Sequence, residues 1–276
     1  MAISHNPKDS VQVNKKTSKT VLVTGSNRGI GLEFIKQYGE KGWDVIATCR
    51  NPDGAEALKT VAKDHSNIRI MAADITDNAS IDHLSNQLDG EPIDILINNA
   101  AYLGPPEPQK FGKIDYEMFA RSFEVNAIGP IRITEKLIDN IRSGEDKKVI
   151  FLGSAAGSIA QIAPPVTLYS YRASKAALHL AVHNFYHEML PENVIVSLIN
   201  PGLVDTRGFL ELKPEDPIPE ELSKMVPETL IRMIQEGKIP MITTYESVTN
   251  MLSYIDELTI ETEPLFVNSD GTPMPW

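Results

Sequence analysis

A tyrosine and a lysine form the pair with the clearest chemical potential in this chain. They are Tyr171 and Lys175, in the stretch "LYSYRASKAAL" at residues 168–178. On a helix, residues four apart share a face, so the two side chains lie next to each other. A free phenol has a pKa of about 10 and is a poor base at neutral pH, but a neighbouring ammonium favours the phenolate and lowers that pKa. The pair predicts a proton-transfer site, with Tyr169 out of phase and outside the reaction, although such a pair also occurs by chance on surface helices.

Short apolar runs predict the elements that must position this pair. Most are continuous in Val, Ile and Leu, which is typical of strands buried on both faces, and amphipathic segments lie between them. One of these segments, "LEFIKQYGEKG", closes on Gly42 as a helix end would. The alternation predicts an α/β fold with a doubly wound parallel sheet of about seven strands. The runs begin at Thr20, Asp44, Ile68, Ile93, Lys148, Val194 and Pro264.

Composition narrows the classes of function. The chain has 276 residues, of which 42% are hydrophobic and 23% charged, as expected for a globular protein. A net charge of −11 argues against a nucleic-acid surface. The single cysteine, Cys49, excludes an intramolecular disulfide and suits a reducing, cytoplasmic location. We expect no membrane helix and no secretory signal, a flexible polar tail over residues 1–18, and a single domain over 19–276.

Three glycines follow the first strand in "TGSNRGIG". Their spacing is G-x-x-x-G-x-G, which could mark a plain tight turn. Their position between a strand and a helix instead favours a site where backbone N–H groups approach a pyrophosphate. The predicted cofactor contacts in this turn are Gly25, Ser26, Asn27, Arg28, Gly29, Ile30 and Gly31.

Two arginines favour NADP(H) over NAD(H) as the cofactor. NAD sites usually place an acid at the end of the second strand, whereas this chain has Arg50 there and no acid before Asp53, which looks like a turn residue. Arg50 and Arg28 can pair with a 2′-phosphate, because a guanidinium suits phosphate geometry. The alternative is that both arginines are merely solvated.

Seven motifs, in order over about 180 residues, resemble the short-chain dehydrogenase/reductase family. The stretches "ATCRNP", "YSYRASKAAL" and "DGTPMPW" are similar to its carbonyl-reductase branch, which includes C-factor and sniffer-like proteins. The resemblance implies a Rossmann-type fold and a small-molecule carbonyl or alcohol substrate. The matching stretches are "TGSNRGIG" (24–31), "ADI" (73–75), "NNAA" (98–101), "VNAIGP" (125–130), "GSAAGS" (153–158), "YRASK" (171–175) and "NPGLVDT" (200–206).

The resemblance also implies residue roles. Tyr171 is the acid/base, and Lys175 holds the nicotinamide ribose and depresses the Tyr171 pKa. Ser154 hydrogen-bonds the substrate oxygen, and Asn126 supports a water that feeds protons through Lys175. The remaining implied cofactor contacts are Asp74 and Ile75 at the adenine, Asn99 and Ala100 along the adenosine, and Pro201, Gly202, Val204 and Thr206 over the nicotinamide.

Two departures from the family pattern stand out. Ala101 occupies the last place of the family's N-N-A-G, which adds a methyl group near the cofactor. The spacing from Ser154 to Tyr171 is longer than usual, so Ser158 is a rival for the substrate-binding serine. We favour Ser154 because it ends the fifth strand, and we expect the extra residues around "QIAPPVTL" to form a longer loop beside the site.

A long segment, residues 204–246, interrupts the alternation of strands and helices. It contains five prolines and two predicted short helices, at 219–225 and 228–236. An insertion of this length favours a substrate lid, the alternatives being a surface embellishment or an oligomer contact. Apolar residues that could line a hydrophobic substrate pocket are Phe209, Leu210, Leu212, Met225, Leu230, Ile231 and Met233.

Three histidines, His179, His183 and His187, are spaced four apart on the helix after Lys175. They could form a metal stripe, but a core or interface role is favoured and no metal site is predicted. The same helix is apolar on more than one face, which suits a homodimer or homotetramer, or burial within the monomer. The sequence therefore predicts an NADP(H)-dependent oxidoreductase acting on a ketone, an aldehyde or the matching secondary alcohol. The alternative is a dinucleotide-binding signalling or scaffold protein that needs no turnover.

Overall fold

A computed structural model describes residues 18–162, 167–213, 215–224, 226 and 228–276. Most of the predicted tail, residues 1–17, and the centre of the predicted longer loop, residues 163–166, lie outside the described residues. So do three positions of the 204–246 segment, including Met225. Ser18, the last residue of the predicted tail, donates a hydrogen bond from Oγ to Asp44 Oδ2 at 2.7 Å.

Seven parallel strands form one sheet, which confirms the predicted Rossmann-type α/β fold. Each predicted run contains one of these strands, although several are shorter than the run. The bounds are β1 Thr20–Thr24, β2 Asp44–Cys49, β3 Ile68–Ala72, β4 Ile95–Asn98, β5 Lys148–Leu152, β6 Ile195–Asn200 and β9 Phe266–Asn268, and a separate two-stranded sheet consists of β7 Val204–Asp205 and β8 Ile242–Thr243. The strand order in the main sheet is β3-β2-β1-β4-β5-β6-β9.

Helices cover both faces of the sheet, and each face has its own apolar core. Along β1, Leu22 packs into one core cluster, whereas Val21 and Val23 pack into the other, because successive strand side chains point to opposite faces. None of the described helices is long and apolar enough to cross a membrane. The helices are α1 Gly29–Glu40, α2 Glu56–Asp64, α3 Asn78–Gln87, α4 Tyr116–Phe123, α5 Gly129–Lys136, α6 Ile138–Arg142, α7 Tyr169–Met189, α8 Glu220–Ser223, α9 Glu228–Gln235 and α10 Thr244–Glu257.

The 204–246 segment leaves the sheet after β6 and returns at α10. Its ends pair as β7 and β8, with Val204 opposite Ile242. The Thr243 hydroxyl then caps α10 by accepting from Glu246 N at 3.1 Å, so the inserted part ends earlier than predicted. Two short helices, α8 and α9, lie between, as expected from the sequence, and α9 buries Ile231 fully.

Candidate active site

The glycine turn after β1 has a backbone that larger residues would not tolerate. Gly25 has φ +68°, in the left-handed region. A Cβ at Gly31 would lie 2.3 Å from the Gly25 carbonyl oxygen. Gly29, with φ +56°, begins α1, and the Arg28 side chain makes no capping hydrogen bond there. The turn therefore presents the start of a twelve-residue helix to the space beyond it, the arrangement that favours a phosphate group.

That space is a cavity of about 390 Å³ along the carboxyl ends of β1, β2, β3 and β4. Its volume lies within the range of small-molecule and cofactor sites, and its donor set, a helix start together with arginines, fits a dinucleotide phosphate. Predicted cofactor residues that line it are Gly25, Asn27, Arg28, Gly29, Ile30, Gly31, Arg50, Asp74, Ile75, Asn99, Ala100 and Thr206.

Ser26 is the member of the predicted turn that does not line this cavity. It is fully buried, and its hydroxyl donates to the Val23 carbonyl oxygen at 2.8 Å. Its backbone N–H is bonded to the Thr48 carbonyl oxygen. Ser26 therefore stabilises the turn from within the protein. Its side chain is not exposed to the cavity, where the predicted contact with the cofactor would be made.

A third arginine, which the motifs did not single out, lines the cavity beside the predicted Arg50. Arg121, on α4, donates from Nη1 to Thr76 Oγ1 at 3.2 Å. Burial alone would raise the pKa of Asp74, but hydrogen bonds from Thr76 and the charges of Arg50 and Arg121 lower it below its usual value. The carboxylate at this end of the cavity is therefore ionised and faces two guanidinium groups.

Asn99 ties the end of β4 to the glycine turn. Its side-chain nitrogen donates to the Thr24 carbonyl oxygen at 2.7 Å and to the Gly25 carbonyl oxygen at 3.1 Å. Ala101, the departure from the family pattern, lines the cavity and is exposed. Its methyl group therefore leaves the cavity open.

Tyr171 and Lys175 lie on α7, as predicted, but their electrostatics differ from the expectation. Burial raises the pKa of Tyr171, and a hydrogen bond with Ser154 only partly opposes it. Lys175 is buried and donates from Nζ to the Leu152 carbonyl oxygen at 2.7 Å, and its pKa falls to about 8 because of burial. The expected depression of the Tyr171 pKa by Lys175 is therefore wrong for this geometry, because desolvation of the phenol dominates.

The two candidate serines have different surroundings. Ser154 follows β5, and its hydroxyl lies close enough to the Tyr171 phenol to lower the pKa of that phenol, while it also accepts from Ala156 N at 3.1 Å. Ser158 is buried, and its hydroxyl accepts from Gln161 N at 3.2 Å, within its own turn. Ser154 is therefore the serine that stands beside the tyrosine.

His179 hydrogen-bonds with the backbone of Ser154. Its Nε2 accepts from the Ser154 backbone nitrogen at 3.3 Å. A Cβ at Gly157 would come within 2.7 Å of the His179 ring, so the chain after Ser154 passes closely over it. Burial and the Lys175 charge lower the pKa of His179 to about 3, which keeps the imidazole neutral and able to accept. In the sequence, the spacing of His179 one helical turn after Lys175 is the feature that could have indicated this role.

The other two histidines have a different environment. The rings of His183 and His187 are in edge-to-face contact with their centroids 4.7 Å apart, and the Trp276 ring centroid lies 5.2 Å from that of His183. Within the described part of the chain, no group of three or more metal-ligating side chains is present.

Asn126 joins the cavity wall to α7. It is fully buried in a π-helical turn, Glu124–Ile128. Its side-chain nitrogen donates to the Tyr102 carbonyl oxygen at 2.8 Å and to Ser174 Oγ at 2.9 Å, while Oδ1 accepts from Tyr102 N at 2.7 Å. Both side-chain polar atoms thus fix protein groups, and the water relay implied for Asn126 stays a prediction.

Four predicted nicotinamide contacts follow β6, and one of them reaches the cavity. A Cβ at Gly29 would lie 3.2 Å from the Thr206 methyl carbon, which brings Thr206 against the glycine turn. Pro201, Gly202 and Val204 do not line the cavity. Tyr171 and Lys175 do not line it either, so the cavity corresponds to the adenosine and phosphate part of the predicted site.

Comparison with known proteins assigns the chain to a family. The family model for short chain dehydrogenases matches residues 19–216. A Rhodococcus dehydrogenase for 1-hydroxy-2-glutathionyl-2-methyl-3-butene is 30% identical over 93% of this chain and 99% of its own length. The C-signal protein of Myxococcus xanthus is 31% identical over 67% of this chain and 93% of its own length.

Solved structures agree with this assignment. The NADPH-bound carbonyl reductase from chicken fatty liver has a TM-score of 0.75 and 25% identity, covering 94% of this chain and 99% of that one. The carbonyl reductase Sniffer of Drosophila melanogaster has the same TM-score of 0.75, covers 94% of this chain and 100% of its own, and supports the fold at 23% identity. The resemblance predicted from the motifs is confirmed.

Proposed function

Because the chain belongs to the short-chain dehydrogenase/reductase family, we propose that it is an NADP(H)-dependent oxidoreductase that reduces a ketone or an aldehyde, or oxidises the matching secondary alcohol. The observation that carries the proposal is the grouping of Ser154, Tyr171 and Lys175 where β5 ends. The carboxyl ends of parallel strands are where open α/β sheets bind their ligands.

The proton donor of this reaction is the Tyr171 phenol. Its raised pKa keeps it protonated at neutral pH, which is the form that donates to a carbonyl oxygen. The Ser154 hydroxyl hydrogen-bonds the same oxygen and holds it beside the phenol. Lys175, with a pKa of about 8, loses and regains a proton near neutral pH and can return a proton to Tyr171. The nicotinamide, when bound, supplies the hydride.

The preference for NADP(H) rests on guanidinium groups in a chain of net charge −11. Arg28, Arg50 and Arg121 all line the cavity. A guanidinium pairs with a phosphate through two parallel hydrogen bonds, so this cluster suits the additional phosphate of NADP(H). The chicken carbonyl reductase, which is described as NADPH-bound, supports the same preference.

The second candidate is a dinucleotide-binding signalling protein that needs no turnover. One observation favours it, the similarity to a protein called C-signal. The grouping of Asn126, Ser154, Tyr171 and Lys175 favours the enzyme, since binding alone does not require this set.

NADPH oxidation against a panel of ketones and aldehydes tests the proposal. We expect turnover with at least one carbonyl, and Tyr171→Phe should lower kcat by about 10²–10⁴-fold with little change in the NADPH Kd. Tyr169→Phe, two residues away on the same helix, is the matched control and should retain activity. If no carbonyl reacts, or if Tyr171→Phe turns over like the unmodified protein, the enzyme proposal fails.

We also propose a homodimer or homotetramer. Ile128 and Leu180 are exposed at 43% and 65%, and both lie on helical segments that pack near the site. Light scattering at several protein concentrations tests this assembly, and a monomer at all of them would contradict it.

A further inference from the structure

Gln109 connects a loop after β4 to α7, the helix that carries Tyr171 and Lys175. The residue is fully buried at the end of a 3₁₀ turn, Glu107–Gln109. Its Oε1 accepts from Ser170 Oγ at 2.6 Å and from Tyr171 N at 3.0 Å. On the loop side, its Nε2 donates to the carbonyl oxygens of Leu103 and Pro105 at 2.7 and 3.0 Å. One side chain thus makes four hydrogen bonds between two segments about sixty residues apart.

The start of α7 needs a partner of this kind. A helix N-cap residue usually accepts, through its side chain, the backbone N–H of the second or third helical residue. Here the N-cap is Leu168, which has no acceptor and adopts φ +63°. Tyr171 is the third helical residue, and its N–H is bonded to Gln109 instead. Gln109 therefore supplies from another segment the cap that the helix lacks.

We propose that Gln109 is a positioning residue for the Tyr171 phenol, so that the loop over residues 103–115 sets the geometry of proton transfer. The inference rests on the proposed function, in which Tyr171 is the proton donor. By fixing the Tyr171 backbone and the Ser170 hydroxyl, Gln109 fixes the first turn of α7 and with it the placement of the phenol beside Ser154.

The loop is itself held together around Gln109. Asp115 N donates to the Pro108 carbonyl oxygen at 3.0 Å, and the Asp115 carboxylate caps α4. Gly104 has φ +69°, and a Cβ there would lie 3.1 Å from the Met118 sulfur. A displacement of this loop is therefore passed to the Tyr171 backbone through the buried Gln109 amide, whereas the ring contact between Phe111 and Tyr169 joins the loop to α7 two residues earlier.

Three variants separate positioning from general stability. Gln109→Met keeps the volume and removes all four hydrogen bonds. Gln109→Glu keeps the acceptor for Tyr171 N but, when ionised, turns an oxygen toward the Leu103 and Pro105 carbonyls. Gln87→Met, at the exposed end of α3, is the control for the same exchange away from the site.

Kinetics provide the first readout. A misplacement of about 1 Å can cost roughly a hundredfold in rate, so we expect Gln109→Met to lower kcat by about tenfold to a hundredfold with the NADPH Kd unchanged. The solvent deuterium isotope effect on kcat should increase, because transfer of the Tyr171 proton becomes slower. Gln109→Glu should regain activity as the pH falls from about 8 to about 6, since the protonated carboxyl can donate to the loop again.

Amide hydrogen exchange provides a readout that needs no turnover. In Gln109→Met the Tyr171 amide should exchange faster, whereas the Arg172 amide, bonded to the Leu168 carbonyl oxygen, should not change. If the unmodified protein reduces no carbonyl, the proposed function fails while this measurement still decides the role of Gln109. An unchanged Tyr171 exchange rate overturns the inference. So does a loss of kcat that only follows the folded fraction, with the isotope effect and pH profile of the unmodified protein.

Discussion

The backbone nitrogen of Ser154 donates to His179 Nε2 at 3.3 Å, which links the end of β5 to the middle of α7. His179 lies one turn beyond Lys175 and is 3% exposed. His179, which accepts from the Ser154 backbone, and Tyr171, which lies beside its hydroxyl, therefore belong to the same helix. That helix therefore holds Ser154 next to Tyr171, the proposed proton donor.

Replacing His179 should impair turnover more than cofactor binding. In His179→Ala the Ser154 N–H loses its acceptor and the packing under Gly157 is lost, so we expect kcat to fall by about tenfold or more, as for other small displacements of reacting groups. His179→Gln, which retains an acceptor, should recover part of the activity. Steady-state kinetics and NADPH titration measure both effects, with exposed His187→Ala as control. A kcat equal to that of the control would contradict the positioning of Ser154.

Lys175 should support turnover but lower the free energy of unfolding. Its folded pKa of about 8 lies below the ordinary value of 10.5, so between these values the unfolded chain binds more protons and stability rises with pH. At pH 7 burial of the charged ammonium destabilises the fold, and Lys175→Met should raise the free energy of unfolding by about 3 kcal/mol. That gain should shrink as the pH approaches about 10.

Urea unfolding at both pH values measures the Lys175 effect. Lys63→Met, on the exposed surface of α2, is the matched control and should show no such pH dependence. A Lys175→Met protein that is less stable at neutral pH, or whose stability difference does not change with pH, would show that burial of the ammonium is compensated elsewhere.

Arg50 should determine the choice between NADPH and NADH. Arg50→Asp removes a guanidinium from the cavity and adds a carboxylate near Asp74. We expect the ratio of kcat/KM for NADPH to that for NADH to fall by about tenfold to a hundredfold, the usual range for losing hydrogen bonds to a charged group. Lys63→Asp makes the same change in net charge on the surface of α2. Equal ratios in the two variants would argue against a 2′-phosphate contact at Arg50.

The 204–246 segment should control which carbonyls react. Deleting residues 209–236 removes α8, α9 and their apolar side chains, and we expect a changed substrate range with the NADPH Kd retained. Because Phe209 and Ile231 are buried, the deletion could unfold its surroundings. Leu210→Ala, at a side chain that is 46% exposed, is therefore the milder partner variant. Equal losses of substrate turnover and cofactor affinity in both variants would contradict a lid.

Much of the fold could be predicted from the sequence because parallel strands buried on both faces require continuous apolar runs. The run from Asp44 matched β2 residue for residue, and the helix expected to end near Gly42 does so at Glu40. The glycine turn was equally predictable, since Gly25 and Gly31 tolerate no side chain there. Ser26 was misplaced because spacing does not reveal on which side of a turn a hydroxyl lies.

What the sequence by itself determined was the presence of the site, since local motifs specify a strand end, a helix start and a Tyr–Lys face four residues apart. Only the tertiary structure decided how the site is held and tuned. Gln109, His179 and Asn126 act on residues distant in the sequence, through side-chain hydrogen bonds that no local pattern encodes. The direction of the Tyr171 pKa also followed from burial rather than from its neighbour at Lys175. Desolvation depends on everything packed around a group, and that is set by the folded chain as a whole.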